Sequence, residues 1–194
     1  MMEYRSDVAL IVVDVQNDFS DRAGSLYVPG GQDVVGACNR EIERARSAGS
    51  PVLYTQDWHP ARTPHFQIDG GIWPVHCVAG SWGAQFHADL LVQGAVIRKG
   101  SNGEDGYSGF SMRDPVSGLA RPTELEELLK KMGIASLVVA GLAGDYCVGA
   151  TAKDGRARGY RVAVLEAAVA FVEMNRGDTV RTWAELAELG IARA

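Results

Sequence analysis

Short, almost unbroken apolar runs alternate along the whole chain with longer segments in which apolar residues recur every three or four positions. The runs, rich in β-branched residues, read as strands, and the longer periodic segments read as helices. This pattern predicts strands near residues 7–14, 51–56, 95–98, 136–142 and 161–166, and helices near 34–48, 123–132, 147–158 and 178–189. Two runs, Ala9-Leu10-Ile11-Val12-Val13 and Leu137-Val138-Val139-Ala140, contain no polar position. A strand that is apolar on both sides is one covered by helices on both sides, so these two belong at the centre of the sheet. Strands alternating with helices are the signature of βαβ units, and the fold class is therefore α/β: a three-layer α/β/α sandwich on a mostly parallel, Rossmann-like central sheet. Thr123-Glu124-Leu125-Glu126 has capping-box spacing at the start of one helix, and Gly133 marks its end.

The periodicity breaks between 57 and 94, where Pro60, Pro64, Gly70, Gly71, Pro74, Gly80 and Gly83 stand among all four histidines of the chain. An irregular stretch of that length in a compact domain is usually functional. A second irregular stretch, Gly100 to Arg121, is rich in Gly and Ser. No repeat, low-complexity tract or linker interrupts the pattern, so residues 1–194 are expected to form one domain. With 46% hydrophobic residues in 194, the chain has enough apolar surface for a full core.

No run approaches the roughly 20 apolar residues of a membrane helix, and no basic segment followed by an apolar one opens the chain. The expectation is a cytoplasmic protein with no membrane partner. A formal charge of −5 without a dense basic stretch argues against nucleic acid and for a small-molecule partner. Whether the chain forms a homo-oligomer stays open, because an amphipathic surface helix and an interface helix share one pattern. Three unevenly spaced cysteines imply reduced thiols rather than a disulfide framework.

In open parallel sheets, ligands bind beyond the carboxyl ends of the strands. The residues there are Asp14 after the first strand, Asp57 and His59 after the second, Lys99 after the third, and Cys147 at the start of the helix after the fourth. Cys147 follows the turn Gly141-Leu142-Ala143-Gly144-Asp145-Tyr146, which sets its sulfur by a helix N-terminus. A free thiol, with a pKa of about 8.5, is mostly protonated at neutral pH; a helix dipole and a nearby ammonium favour the anion. Lys99 is the candidate cation and Asp14 the candidate proton acceptor, while Cys38 and Cys77 read as packing residues and Asp18 as a turn organiser. Asp57-Trp58-His59 sets a carboxylate and an imidazole on one side of an extended chain, and His65 returns to them across Pro60 and Pro64. Such oxygen and nitrogen donors suit zinc, iron or manganese, with His76 a further candidate ligand.

These segments together resemble the isochorismatase-like cysteine hydrolases and, within them, the nicotinamidases. The resemblance rests on Asp14-Val15-Gln16-Asn17-Asp18-Phe19, Asp57-Trp58-His59-Pro60 with His65, Trp73-Pro74-Val75-His76-Cys77-Val78, Lys99-Gly100, Tyr107-Ser108-Gly109-Phe110 and Gly141 through Val148. It implies the isochorismatase-like hydrolase fold and hydrolysis of nicotinamide, or of pyrazinamide, through a Cys147 thioester. Asp14, Lys99 and Cys147 then form the catalytic triad. Asp57, His59 and His65, joined by His76 in some members, hold a divalent metal that carries the pyridine nitrogen, directly or through water. Phe19 and Trp73 match the pocket walls. The amides of Ala143 and Cys147 match the oxyanion hole, with a cis peptide expected between Leu142 and Ala143. No organic cofactor is implied. The Asp-x-His loop argues against the alternative, a superfamily amidase acting on another small carboxamide or carbamoyl compound. One departure stands out: many nicotinamidases carry histidine before the nucleophile, where this chain has Tyr146 lining the pocket.

Overall fold

The computed structural model describes residues 3–194. Strand β1 (Val8–Val13) leads through a single helical turn, α1 (Asn17–Ser20), into α2 (Gly31–Ser47), β2 (Val52–Asp57) and β3 (Ala95–Lys99). A small hairpin, β4 (Ser111–Arg113) with β5 (Ala120–Pro122), precedes α3 (Leu125–Lys131) and β6 (Ser136–Leu142). Then come α4 (Gly149–Ala157), β7 (Arg161–Ala170), α5 (Asp178–Glu188) and β8 (Ala192–Arg193).

Six strands form one sheet in the order β3-β2-β1-β6-β7-β8, every neighbouring pair parallel. β1 and β6 lie at its centre, and every residue of both is buried, as their unbroken apolar runs require. Alternate side chains of β1 point to opposite faces: Leu10 and Val12 pack with Val34, Cys38 and Ile42 of α2, while Ile11 and Val13 join the cluster of Leu125, Leu129, Ala152 and Leu186 from α3, α4 and α5. Burying each such aliphatic side chain contributes about 1.5–3 kcal/mol, which is what holds helices on both faces and makes three layers. Among the described residues, no helix is long and apolar enough to cross a membrane.

Three local expectations are corrected. The strand expected to end near 166 continues to Ala170, because the β6–β7 register jumps from Val139↔Val164 to Gly141↔Val169 and a bulge absorbs the exposed Glu166 and Ala167. The capping box does not form: the Thr123 N–H goes to Phe110 O at 2.9 Å, and Glu126 pairs with Lys130 and Arg158. The Thr123 hydroxyl accepts from the Leu125 amide at 3.2 Å instead. Finally, the 100–121 stretch is not wholly irregular, since it carries the β4–β5 hairpin.

From β1 the chain builds outward through β2 to β3, and afterwards from β6 through β7 to β8 on the other side. That reversal opens a crevice at the carboxyl ends of β1 and β6. The two ends approach so closely that a Cβ at Gly141 would sit 2.1 Å from Val13 O, and Gly141 also has φ +115. Only glycine meets both conditions.

Candidate active site

Asp14 is the first residue past β1 and turns the chain with φ +48. Its Oδ1 accepts from the Thr55 hydroxyl at 2.7 Å and its Oδ2 from Lys99 Nζ at 2.6 Å. Lys99, the last residue of β3, also donates to the Asp57 carboxylate and to Gly106 O, and its Nζ lies 3.6 Å from Cys147 Sγ. Asp14 and Lys99 are wholly buried. Carboxylate oxygens of Asp14 and Asp57 and the Cys147 sulfur lie within 4.8 Å of one another.

One ammonium thus faces two carboxylates and a thiol, all buried, and burial works against every charge there. For Asp14, burial and the neighbouring Asp57 outweigh Lys99 and Thr55 and push the carboxyl up to about 6. For Asp57, the pull of Lys99, His59 and His76 overcomes burial and holds the carboxyl well below the usual range. Lys99 stays charged despite its burial, because Asp14 and Asp57 face it. The thiol departs from the sequence reading: burial, with Asp14 and Asp57 adding to it, outweighs Lys99 and raises Cys147 well above the ordinary thiol value. The resting sulfur is therefore protonated.

Beside this cluster, ring nitrogens of His59, His65 and His76 come within 4.8 Å of one another. His59 Nε2 is 3.7 Å and His76 Nε2 4.0 Å from Asp57 Oδ2, the oxygen that Lys99 leaves free. Burial lowers His65 and takes His76 down to about 4, so both rings are neutral at physiological pH and keep a lone pair. Both nitrogens of His59 are buried without a hydrogen-bond partner among the described residues. Orphaned buried nitrogens are costly, and three buried imidazoles beside a carboxylate oxygen that Lys99 leaves free are a donor set that suits a divalent cation.

The crevice is open to solvent on one side, and the non-atom space at it, open solvent included, is about 440 Å³. Phe19, Trp73, Tyr107 and Tyr146 line it together with His65, His76, Ala143 and Cys147. Trp73 donates its indole N–H to Tyr107 Oη at 2.7 Å and meets Tyr146 edge to face at 4.8 Å. The Leu142–Ala143 peptide is cis, and Cys147 lies in a wide helical turn, residues 144–148, that runs into α4.

Of the expected site residues, Phe19, Asp57, His65, Trp73, His76, Ala143, Tyr146 and Cys147 line the crevice, while Asp14, Lys99 and His59 are wholly buried behind it, Lys99 bonded to Asp57 and His59 packed on His65 and His76. The sequence reading assigned no role to four others. Gln16 lies wholly buried and pairs with the backbone of Asp57, donating to its carbonyl at 2.7 Å and accepting from its amide at 2.8 Å. Thr55 braces Asp14, Asp105 holds His65 Nδ1 at 2.6 Å, and Tyr107 anchors Trp73. Tyr107 had a signal, as part of the Tyr107-Ser108-Gly109-Phe110 segment; Thr55 reads as an ordinary strand residue.

A cysteine at a strand-to-helix turn, a buried lysine–carboxylate cluster and a histidine set sharing one crevice have the make-up of an α/β cysteine hydrolase. The chain belongs to the isochorismatase family, whose isochorismatase domain it matches over residues 8–182. Within that family its likeness is to nicotinamidases: it is 38% identical to the nicotinamidase of Escherichia coli (strain K12), over 94% of this chain and 92% of that one. L. infantum PnC1, solved in complex with nicotinate, superposes with a TM-score of 0.88 at 38% identity, covering 100% of this chain and 95% of that one. The pyrazinamidase of Pyrococcus horikoshii, solved in complex with zinc, superposes with a TM-score of 0.86 at 34% identity, covering 97% and 98%.

Proposed function

We propose that this protein is a nicotinamidase, hydrolysing nicotinamide to nicotinate and ammonia through a Cys147 thioester, with pyrazinamide as a second substrate. The observation that carries this reading is an aromatic-walled crevice lined by Cys147, Asp57, His65 and His76, with the Asp14–Lys99 pair and His59 buried directly behind them. The E. coli relative and the nicotinate complex of the L. infantum structure support the substrate class.

Asp57, His59, His65 and His76 would hold a divalent metal, zinc first and iron or manganese as alternatives. When bound, it supplies a Lewis acid to which the ring nitrogen of the substrate is tethered. Phe19, Trp73 and Tyr146 line the pocket as aromatic walls for the ring, with the carboxamide directed at Cys147. Asp14 takes the thiol proton as the sulfur attacks, and the amides of Ala143 and Cys147 donate to the developing oxyanion. The proton then passes from Asp14 to the departing nitrogen, releasing ammonia and leaving the acyl thioester. Asp14 next takes a proton from water as the water attacks the thioester; the carbon–sulfur bond breaks, Asp14 returns that proton to the sulfur, and the acid leaves as nicotinate with its own proton passing to solvent. Throughout, Lys99 holds a fixed positive charge beside the oxygen and sulfur atoms that trade the proton.

The test is ammonia release by purified, zinc-supplemented protein given nicotinamide, pyrazinamide and a panel of aliphatic carboxamides and carbamoyl compounds. The reading expects turnover of the two ring amides. Turnover confined to the other amides would overturn it.

A further inference from the structure

We propose that Asp105 is a positioning residue that orients His65, and through it His59, for metal binding; the proposal rests on the metal reading above. A carboxylate only accepts hydrogen bonds, so the 2.6 Å contact between Asp105 Oδ1 and His65 Nδ1 makes Nδ1 the protonated nitrogen. The lone pair is left on Nε2. His76 is fixed in the same way, its Nδ1–H donating to Pro74 O at 2.7 Å. Among the described residues, His59 has no such partner on either nitrogen. Its ring direction is set by packing: it stacks on His65 at 4.9 Å with an interplanar angle of 24°, and the α-carbon of Gly100 presses so close that a Cβ there would lie 2.4 Å from His59 Cε1. The Asp105–His65 bond therefore fixes the ring on which His59 stacks, with Phe66, His76 and Gly100 completing the packing around His59.

Asp105 is itself held firmly. Its backbone exchanges paired hydrogen bonds with Arg113 of β4, at 2.7 and 2.9 Å, so the hairpin braces it. The next two residues reach the other parts of the site: Gly106 O accepts from Lys99, and Tyr107 Oη accepts from Trp73. Three consecutive residues thus tie the histidine cluster, the buried ammonium and the aromatic wall to one braced segment. A carboxylate behind a ligating imidazole fixes its tautomer and raises its basicity, and losing one typically weakens metal binding about 10–100-fold.

The experiment measures zinc affinity by competition with a chromogenic chelator for the parent protein, Asp105→Asn and Asp105→Ala. Thermal melts in chelator serve as the folding control. The expected result is a zinc affinity weakened about 10–100-fold in Asp105→Ala, and by less in Asp105→Asn, whose amide oxygen still accepts the bond without the charge. At saturating zinc, KM for nicotinamide should rise with kcat largely kept, because Asp14, Lys99 and Cys147 are untouched. If Asp105→Ala fails to fold, the Asp105→Asn affinity decides. Variant affinities within about twofold of a zinc-binding parent would overturn the role of Asp105, whereas a parent that takes up no zinc would overturn the metal reading beneath it.

Discussion

Replacing Lys99 with methionine keeps the aliphatic stem and removes the charge, which leaves buried Asp14 and Asp57 facing each other without the ammonium between them. Lys99 is wholly buried and donates to Asp14, Asp57 and Gly106. Breaking a buried ion pair by deleting one partner costs about 3–5 kcal/mol, because the surviving charge stays uncompensated. For a chain of this size each kcal/mol lowers the melting temperature by about 2–4 °C, so Lys99→Met should melt roughly 6–20 °C below the parent at neutral pH. The loss must depend on pH in a definite direction. Without the ammonium both carboxyls rise above their unfolded values, so destabilisation is small near pH 4 and grows as pH rises toward the new folded values. Adding Asp14→Asn to Lys99→Met removes one stranded charge and should recover part of the loss. The assay is differential scanning calorimetry of parent, single and double variants between about pH 5 and 8, with the metal content held constant. A Lys99→Met protein melting within about 2 °C of the parent across that range would refute the buried ion cluster as described.

Because Asp14 must be ionised to accept the thiol proton and its carboxyl is pushed up to about 6, kcat/KM should climb with pH through about 6 and level off above it; a limb at an ordinary carboxylate value near 4 would contradict that environment. Thr55→Val removes the 2.7 Å hydrogen bond that favours ionised Asp14. Its limb should move upward by about one to two units, from the roughly 1.5–3 kcal/mol of a hydrogen bond to a charged group, and an unmoved limb would show that Thr55 does not act on Asp14. Gly141→Ala puts a Cβ against Val13 O, 2.1 Å away, at φ +115. The urea midpoint should fall by the equivalent of about 1–3 kcal/mol or more, and an unchanged midpoint would mean that β1 and β6 are not held so close.

The elements that bury the most apolar surface were legible because their pattern is local. The runs at 8–13 and 136–142 are buried on both faces and lie at the sheet centre, where their composition puts them. The residues at strand ends were legible by the same logic, since topology alone delivers Asp14, Asp57, Lys99 and Cys147 to one crevice. What escaped depends on tertiary proximity. Thr55 meets Asp14 only because the β1–β2 register pairs Val13 with Thr55. Gln16 reads as a loop residue until Asp57 lies opposite its amide. Asp105 stands in a Gly- and Ser-rich stretch, and nothing in its neighbours points to His65, forty positions earlier in the chain. The direction of the Cys147 thiol was misjudged for the same reason: a helix N-terminus and a lysine are visible in sequence, whereas the depth of burial that outweighs them is not.

The account turns on Cys147 as the nucleophile. The most direct measurement is mass spectrometry of protein mixed with nicotinamide and quenched in acid during turnover, followed by peptide mapping. The account predicts a mass increment equal to a nicotinoyl group on the peptide bearing Cys147, none on those bearing Cys38 or Cys77, and no turnover by Cys147→Ala. Turnover that persists in Cys147→Ala, with no acyl group on the parent peptide, would contradict it.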